Sequence, residues 1–257
     1  PYHTGPAHLL ASPRHPAPMS SFPIPEWSRI DVVCLDMDGT VLDLHFDNLF
    51  WLEVLPRRWG AAHGLDYDAA MAQLRPRFDA RRGTLDWYCV DHWSDELGLD
   101  IPALKHELRD EIRYLDGAVD FLDLLRVLGK RVLLTTNAHP LSLRVKQSQT
   151  QLSRHFDELV TSHEFGVPKE HPEFWLELAR RHDVPLTRTL FVDDSAAVLQ
   201  AAQQARVGWI YQVLQPDSTR PPHPPVAGIA GVRRLADLRE SVLGQLAAGA
   251  GPESPPP

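Results

Sequence analysis

Four short polar clusters along the sequence carry the residue types that phosphate chemistry needs. The first is Asp36-Met37-Asp38-Gly39-Thr40, and the others are Thr135-Thr136-Asn137, Lys169 and Asp193-Asp194-Ser195. Carboxylates this close repel one another unless a hard cation holds them, and Mg²⁺ prefers such oxygen ligands together with substrate phosphate. A lysine and the hydroxyl and amide donors would hold the same anion. The clusters therefore predict a phosphate ester bound between Mg²⁺ and Lys169.

Each cluster also has a simpler structural explanation when it is taken alone. An Asp-x-Asp-Gly sequence is usually a turn, and a Thr-Asn or Asp-Asp-Ser sequence after a strand usually caps the following helix. A lysine after a proline is usually solvated. However, all four clusters occur in order at or shortly after apolar runs, with helical segments between them. This joint pattern favours one shared site.

Short apolar runs that are typical of β-strands alternate with segments of helical period. The predicted strands are residues 31–36, 131–136, 158–161, 189–193 and 208–211. The predicted helices between the later strands are residues 117–128, 140–152, 172–182 and 195–205. Strands that alternate with helices predict an α/β fold, in which a parallel sheet has helices on both faces.

Residues 44–116 interrupt this alternation, because they show helical patterns without a convincing strand. A helical insertion after the first strand predicts a cap over the carboxyl edge of the sheet, where ligands bind in such folds. The α/β core would then comprise residues 26–43 and 117–247.

Proline is concentrated near the two ends of the sequence. Of the 23 prolines, seven lie in residues 1–25 and nine in residues 216–257. Because proline removes a backbone donor and fixes φ, residues 1–25 and 248–257 are predicted to be a disordered leader and tail, and residues 216–225 a surface loop. The leader lacks the apolar segment of a secretory signal, and whether Met19 is the natural start is left open.

The composition excludes several classes of protein. It is 43% hydrophobic and 23% charged, as in ordinary globular proteins, and no apolar run reaches the ~18–20 residues that span a bilayer. The net charge of −8 argues against a protein that coats nucleic acid with a basic face. Cys34 and Cys89 fit neither a disulfide framework nor a zinc site, and no two histidines have metal-ligand spacing. Cys34 is expected to be a small buried hydrophobe in a reducing compartment.

The series Asp-x-Asp-Gly-Thr, Thr-Asn, Pro-Lys and Asp-Asp resembles that of the haloacid dehalogenase-like (HAD) phosphohydrolases, over nearly all of residues 30–245. Strings that are similar to the bacterial GMP/IMP 5′-nucleotidases of that superfamily are residues 35–40, 43–48, 85–89, 136–140 and 165–170. The resemblance implies a Rossmann-like core. It also implies a cytoplasmic, Mg²⁺-dependent enzyme that hydrolyses purine nucleoside 5′-monophosphates, a small phosphorylated metabolite rather than a nucleic-acid polymer.

The resemblance implies a role for each residue of the four clusters. Asp36 would be the nucleophile that becomes an aspartyl-phosphate, and Asp38 would protonate the leaving alkoxide and then activate water. Mg²⁺ would be held by the Asp36 carboxylate, the Asp38 carbonyl and Asp194, while Asp193 would contact a metal-bound water or orient a ligand. Lys169 would offset the charge on the phosphate. The phosphoryl oxygens would be held by Thr136, Asn137 and the backbone N–H groups near Gly39 and Thr40.

Recognition of the base would fall to the cap. Arg81 lies in an arginine-rich stretch and Trp87 in the 85–89 string; a guanidinium can meet a purine carbonyl, and an indole can stack on a base. His45 and Asn48 follow the nucleophile closely and are candidates by position. For all four side chains, packing within the cap or solvation is the alternative explanation.

Two other functions stay open from the sequence. One is a HAD phosphatase for a sugar phosphate or another small metabolite. The other is a catalytically inactive phosphate-binding module, against which the intact clusters count. Asp38 argues against a dehalogenase, which acts on carbon and needs no proton donor at that position. A phosphonatase would need a Schiff-base lysine from the cap, where Lys105 is the only lysine and has no matching context.

Overall fold

Six parallel strands form one sheet in the computed structural model, which describes residues 25–249. The strands are β1 (Val32–Leu35), β2 (Arg131–Thr136), β3 (Glu158–Thr161), β4 (Thr189–Asp193), β5 (Trp209–Val213) and β6 (Ala230–Val232). Their order across the sheet is β3-β2-β1-β4-β5-β6. The first five agree with the predicted strands to within two residues at each end, and β6 was not predicted.

The chain between β1 and β2 is helical, as the sequence predicts. Its helices are α1 (His45–Leu49), α2 (Leu55–Ala62), α3 (Tyr67–Arg81), α4 (Leu85–Tyr88), α5 (Val90–Leu97) and α6 (Ile101–Glu107). A π-helical turn, Phe50–Val54, joins α1 to α2. These helices have their own apolar cluster, which includes Phe50, Leu74 and Trp93. They form the cap.

Five further helices among the described residues cover the sheet. They are α7 (Ala118–Val127), α8 (Pro140–Thr150), α9 (Pro172–Arg181), α10 (Ala196–Gln204) and α11 (Leu235–Gly249). Helices α8 and α9 each begin with a proline, which is pre-organised for the first helical position. Helix α11 was not predicted, although it packs on α7 so closely that a Cβ on Gly117 would lie 2.7 Å from that of Ala236.

Alternate residues of each central strand face opposite sides of the sheet. In β1, Val33 and Leu35 pack in the cluster that contains residues of α7 and α11, whereas Val32 and Cys34 pack in the cluster that contains residues of α9 and α10. All four residues are buried. Strands buried on both faces read as continuous apolar runs, and this confirms the predicted α/β fold with helices on both faces.

The ends of the chain depart in part from the predictions. Residues 218–225 are exposed, as expected of a surface loop, but Pro216 and Asp217 are buried against the core. Helix α11 extends to Gly249, two residues into the predicted tail. The rest of the tail, and the predicted leader up to residue 24, lie outside the described residues. Within the described range, no helix is long and apolar enough to cross a membrane.

Candidate active site

The polar clusters meet at the topological switch point of the sheet, where successive strands stop adding on one side of β1 and continue on its other side. Strands β1, β2 and β3 follow one another toward one edge, and β4 returns to pair with β1 on its other side. Asp36 follows β1 directly and Asp193 ends β4, with Leu35 of β1 opposite Val192 of β4. Open α/β sheets bind ligands in the crevice at such a switch point.

Lys169 lies at the centre of the cluster and is 1% exposed. Its ammonium Nζ donates to Asp36 Oδ1 at 2.5 Å and to Asp193 Oδ2 at 2.8 Å. A third hydrogen bond runs to the carbonyl oxygen of Thr135 at 2.9 Å. Because an ammonium has three N–H groups, these bonds fix its position fully. They also fix the nucleophile candidate Asp36.

The carboxylates around Lys169 carry more negative charge than one lysine balances. Burial, with the neighbouring carboxylates of Asp193 and Asp38, raises the pKa of Asp36 to about 8 although Lys169 opposes this. Burial and the carboxylates of Asp193 and Asp36 raise the pKa of Asp194 well above its ordinary value. Burial disfavours the charge on Lys169, but Asp193 and Asp36 outweigh it and raise the pKa of the ammonium.

The surplus of carboxylate oxygens fits a hard divalent cation. Asp36, Asp193 and Asp194 each offer an oxygen, and the three oxygens lie within 4.8 Å of one another. An all-oxygen, anionic donor set of this kind suits Mg²⁺ rather than a thiophilic metal. The residues present therefore fit the metal that the sequence predicts.

Gly39 allows Asp194 to approach the Asp36–Thr40 turn. Its φ is +88°, and an added Cβ would lie 2.9 Å from both Asp194 Cγ and Pro216 Cβ. A side chain at this position would therefore be strained by its backbone and would collide with the acidic cluster.

A second lysine network holds Asp38. Lys146 Nζ, from α8, donates to Asp38 Oδ1 at 2.5 Å and to Asp47 Oδ2 at 2.6 Å. Lys105 Nζ, from α6 of the cap, donates to Asp47 Oδ1 at 2.6 Å. Burial raises the pKa of Asp38 although Lys146 opposes it. Burial also acts on Asp47, but Lys105 and Lys146 outweigh it and hold the pKa of that carboxyl below its ordinary value.

Sequence reasoning missed Lys146 and Asp47 as site residues, and it gave Lys105 no role. One signal could have found the lysines. Only four of the 26 basic residues are lysine, and three of those four are buried at this site: Lys105, Lys146 and Lys169. In a chain whose basic residues are mostly arginine, the few lysines are worth testing as sites that use a compact ammonium.

Thr136 and Asn137 lie between Lys169 and the cap. Thr136 Oγ1 accepts the Ala138 N–H at 3.0 Å, so its own proton can be donated elsewhere. The Asn137 amide oxygen accepts the Lys169 N–H at 2.9 Å, and its amide nitrogen donates to Glu170 Oε2 at 2.9 Å. Tyr88 of α4 donates its hydroxyl to the other oxygen of Glu170. This chain of contacts connects the cap to the backbone of Lys169.

A cavity of about 500 Å³ separates the acidic cluster from the cap. The predicted site residues that line it are Asp36, Asp38, Asn48, Trp87, Thr136, Asn137, Lys169, Asp193 and Asp194. Those that do not line it are Gly39, Thr40, His45 and Arg81. A volume of this size is ordinary for a small-molecule site.

The four residues outside the lining differ in their surroundings. Thr40 is buried, and its hydroxyl has no hydrogen-bond partner among the described residues. His45 Nδ1 lies 3.3 Å from Thr219 Oγ1, in the loop after β5. Arg81 ends α3 with an exposed side chain, and the adjacent Arg82 lines the cavity instead. The roles of these residues stay predictions.

Aromatic side chains form the cap wall of the cavity. Trp87 packs edge-to-face on Phe78 and Trp93, with ring centroids 6.2 and 6.4 Å away. The Arg82 guanidinium carbon lies 5.5 Å from the centroid of the Trp87 ring. Asn48, which also lines the cavity, donates its amide to Asp217 at 2.7 Å. Asp217 is buried, although it lies in the segment that was predicted to be a surface loop.

A capped α/β sheet with a buried aspartate–lysine cluster at its carboxyl edge defines a class of phosphohydrolase. The chain belongs to the haloacid dehalogenase-like hydrolases, which it matches over residues 30–206. Within that family it is a HAD-type phosphatase. The family assignment made from the motifs is thereby confirmed.

Relatives of known activity and known structure support this assignment. The chain is 43% identical over 192 residues to the GMP/IMP nucleotidase YrfG of Escherichia coli (strain K12). The aligned region covers 75% of this chain and 86% of that protein. The protein of the same name from Shigella flexneri matches equally well.

Solved structures show the same fold. A HAD phosphatase from Thermococcus onnurineus has a TM-score of 0.70 at 21% identity, over 84% of this chain and 98% of that one. The L-2-haloacid dehalogenase of Xanthobacter autotrophicus has a TM-score of 0.58 at 16% identity, over 84% and 99% of the two chains. At these identities, the likeness concerns the fold alone.

Proposed function

We propose that this phosphatase hydrolyses purine nucleoside 5′-monophosphates such as GMP and IMP, using Mg²⁺ and an aspartyl-phosphate on Asp36. The observation that carries the proposal is the position of the Lys169-bound aspartates, at the base of a cavity whose opposite wall is aromatic. The GMP/IMP nucleotidase activity for which the 43% identical relatives are named supports the purine substrate.

In the first step, a carboxylate oxygen of Asp36 attacks phosphorus, and the bond from phosphorus to the nucleoside O5′ breaks. Lys169 holds Oδ1 of Asp36, which leaves Oδ2 as the attacking oxygen. Asp38 gives its proton to O5′ as the leaving group departs. Lys146 holds Oδ1 of Asp38, so the proton resides on Oδ2. Burial raises the pKa of Asp36 and of Asp38 alike, so a bound cation beside Asp36 would be what keeps Asp36 ionised while Asp38 holds its proton.

In the second step, Asp38 takes a proton from water, and the oxygen of that water attacks phosphorus. The bond between phosphorus and Asp36 breaks, which releases inorganic phosphate and restores the Asp36 carboxylate. Both steps use the same pair of carboxyl groups. The mechanism therefore requires that Asp36 is ionised and Asp38 is protonated before the first step.

Mg²⁺ would be held by Asp36, Asp193, Asp194 and the Asp38 carbonyl. When bound, it supplies positive charge that offsets the charge of the phosphoryl group. Thr136, Asn137 and the N–H groups near Gly39 and Thr40 are the proposed donors to the phosphoryl oxygens. Lys169, which donates to Asp36 and Asp193, would add to this neutralisation.

The proposed base site is the aromatic wall. Trp87 offers a stacking surface, and the guanidinium of Arg82 lies over the same ring. Arg81, His45 and Asn48 remain candidates for polar contacts with the nucleoside. The location of the protein in the cytoplasm stays a prediction.

Phosphate release from a substrate panel tests the proposal. The panel contains GMP, IMP, AMP, CMP, several sugar phosphates and p-nitrophenyl phosphate, each assayed with Mg²⁺ and with EDTA. We expect the highest kcat/KM for GMP and IMP, and no turnover in EDTA. A higher value for a sugar phosphate would reassign the enzyme to small-metabolite phosphatases. No release from any substrate would favour a phosphate-binding module.

A further inference from the structure

A second group of metal-ligating side chains lies beside the cavity. Cys89, His139 and His163 each offer one donor atom, and the three donors lie within 4.8 Å of one another. None of the three lines the cavity that holds the acidic cluster. The sequence gave no sign of this group, because its members are separated by 50 and 24 residues along the chain and lack the local spacing of zinc motifs.

The donor types differ from those of the magnesium site. One thiol and two imidazoles form a soft to borderline set, which suits Zn²⁺ and does not suit Mg²⁺. Donors of a tetrahedral zinc site lie about 3.3–3.6 Å apart, given the usual Zn–N and Zn–S distances. The three donors lie within 4.8 Å of one another, so that at most small side-chain rotations would bring them to a shared ion.

His163 carries the second observation that points to a ligand. Its Nε2 is a buried atom with no hydrogen-bond partner among the described residues. Its Nδ1 lies 3.4 Å from Thr161 Oγ1, and a proton on Nδ1 would leave the Nε2 lone pair free. Buried polar atoms are rarely left unpaired. In a histidine that binds a metal through one ring nitrogen, the other nitrogen typically donates a hydrogen bond that fixes the orientation of the ring.

The other two members have neighbours that suit a metal site. Cys89 is half-buried, and its Sγ accepts the N–H of His92 at 3.4 Å at the start of α5. His139 Nε2 lies 3.5 Å from Asp91 Oδ2, and His139 Nδ1 accepts the N–H of Leu141 at 3.3 Å. Metal binding through Nε2 would move the ring proton to Nδ1 and replace that hydrogen bond. The rings of His139 and His163 lie edge-to-face, with centroids 4.8 Å apart.

We propose that Cys89, His139 and His163 bind one Zn²⁺ or a similar thiophilic divalent cation, with Asp91 or water as the fourth ligand. Cys89 and Asp91 belong to the cap, whereas His139 and His163 follow strands β2 and β3 of the sheet. The ion would therefore link the cap to the sheet. Tyr88, Val90 and Ala138 are sequence neighbours of the ligands and line the cavity, so the link would hold the cap over the substrate site.

Cobalt substitution of the full chain tests the site without using turnover. Co²⁺ is titrated in excess Mg²⁺, and the absorption spectrum is recorded. We expect one equivalent to give sulfur-to-cobalt charge-transfer bands and tetrahedral d–d bands, with competition by Zn²⁺. Asp36→Asn should leave these bands in place, because the acidic cluster contains no sulfur.

Two variants test the ligands, and a third is their control. Cys89→Ser should abolish the charge-transfer bands, and His163→Gln should weaken Zn²⁺ affinity by more than the ~10–100-fold that loss of a supporting partner costs. His106→Gln, which changes an exposed histidine on α6, is the matched control and should leave affinity unchanged. Circular dichroism verifies that each variant is folded. Cobalt binding without a sulfur band, or with a band that Cys89→Ser or His163→Gln leaves unchanged in a folded protein, would overturn the proposal.

Discussion

Two aspartates that stand two residues apart are given different surroundings by two buried lysines. Asp36 pairs with Lys169, and Asp38 pairs with Lys146. The first pair lies beside Asp193 and the proposed metal, whereas the second pair extends through Asp47 toward the cap. In the proposed mechanism, the different partners would let Asp36 act as nucleophile and Asp38 as proton donor.

Asp38→Asn tests the proton transfer at the residue scale. The variant should keep Mg²⁺ binding but lose a contribution worth ~10²–10⁴-fold in turnover of GMP. Formation of the intermediate from p-nitrophenyl phosphate should suffer less, because that leaving group needs little protonation. Single-turnover rates on both substrates make the comparison. An equal loss on both would contradict the role of Asp38 as an acid.

At the scale of elements, Lys146 joins α8, α1 and the loop after β1. Lys146→Met would leave Asp38 without its cation and Asp47 with only Lys105. Removing one partner of a buried ion pair typically costs ~3–5 kcal/mol, so the free energy of unfolding should fall by about that amount.

An exposed ion pair on the cap is the matched control for Lys146→Met. Arg58 pairs with Glu107 across α2 and α6, and both side chains are more than half exposed. Arg58→Met should therefore cost no more than ~1 kcal/mol. Denaturant unfolding of both variants measures the loss in the free energy of unfolding. Equal losses would mean that the buried ion pairs contribute no more to stability than the exposed pair does.

Base recognition also belongs to the element scale, because α3 and α4 place the side chains concerned. Trp87→Ala and Arg82→Ala should raise KM for GMP and spare p-nitrophenyl phosphate. Loss of a stacking partner costs ~1–3 kcal/mol per base in single-strand sites, which is roughly tenfold to hundredfold in KM.

Arg81→Ala is measured beside these two variants, since Arg81 was the sequence candidate and Arg82 is the arginine that lines the cavity. The ratio of GMP to p-nitrophenyl phosphate activity separates recognition from collapse of the cap, where Trp87 packs on Phe78 and Trp93. Equal losses on both substrates would mean that Trp87 acts through packing alone.

The parts of the site that follow strands could be predicted, and the parts that depend on helix packing could not. Asp36, Thr136 and Asp193 stand at strand ends, and parallel strands bring their carboxyl ends to one edge. Lys146 and Asp47 lie within helices, in positions that look like ordinary solvated faces. Only the packing of α1 and α6 against α8 turns those faces inward.

Dependence on tertiary packing also explains why β6 and the burial of Asp217 were not predicted from the sequence. Strand β6 has only three residues, two of them small, so its sequence carries little apolar signal. Asp217 lies in a proline-rich stretch that predicts a solvated loop, yet it is buried because Asn48, Thr219 and Arg220 satisfy its carboxylate. Tertiary partners of this kind leave no local pattern in the sequence.

For the molecule as a whole, the sheet supplies the proposed phosphate site, and the cap covers it. The acidic cluster is a local source of repulsion in this arrangement, since burial and neighbouring carboxylates raise the pKa of Asp36, Asp193 and Asp194. A divalent cation that binds this cluster only in the folded state would relieve the repulsion and stabilise the fold.

Saturating Mg²⁺ should therefore raise the Tm of the wild-type protein above that in EDTA. A ligand at one hundred times its Kd contributes about 2.7 kcal/mol. Asp194→Asn should reduce the rise, whereas Asp110→Asn, which alters a largely exposed carboxylate on the cap, should leave it unchanged. Differential scanning fluorimetry makes the measurement, and a rise of the same size in all three proteins would place the cation elsewhere.

The central claim is that Asp36 carries the phosphoryl group, and trapping the intermediate tests it most directly. Wild-type enzyme is mixed with GMP labelled in the phosphate, quenched in acid and treated with hydroxylamine. We expect protein-bound label that hydroxylamine releases and that mass spectrometry assigns to Asp36. Asp36→Asn should carry no label, remain folded and lose at least ~10³-fold in turnover. Turnover of Asp36→Asn within tenfold of wild type, or label on another residue, would contradict the account.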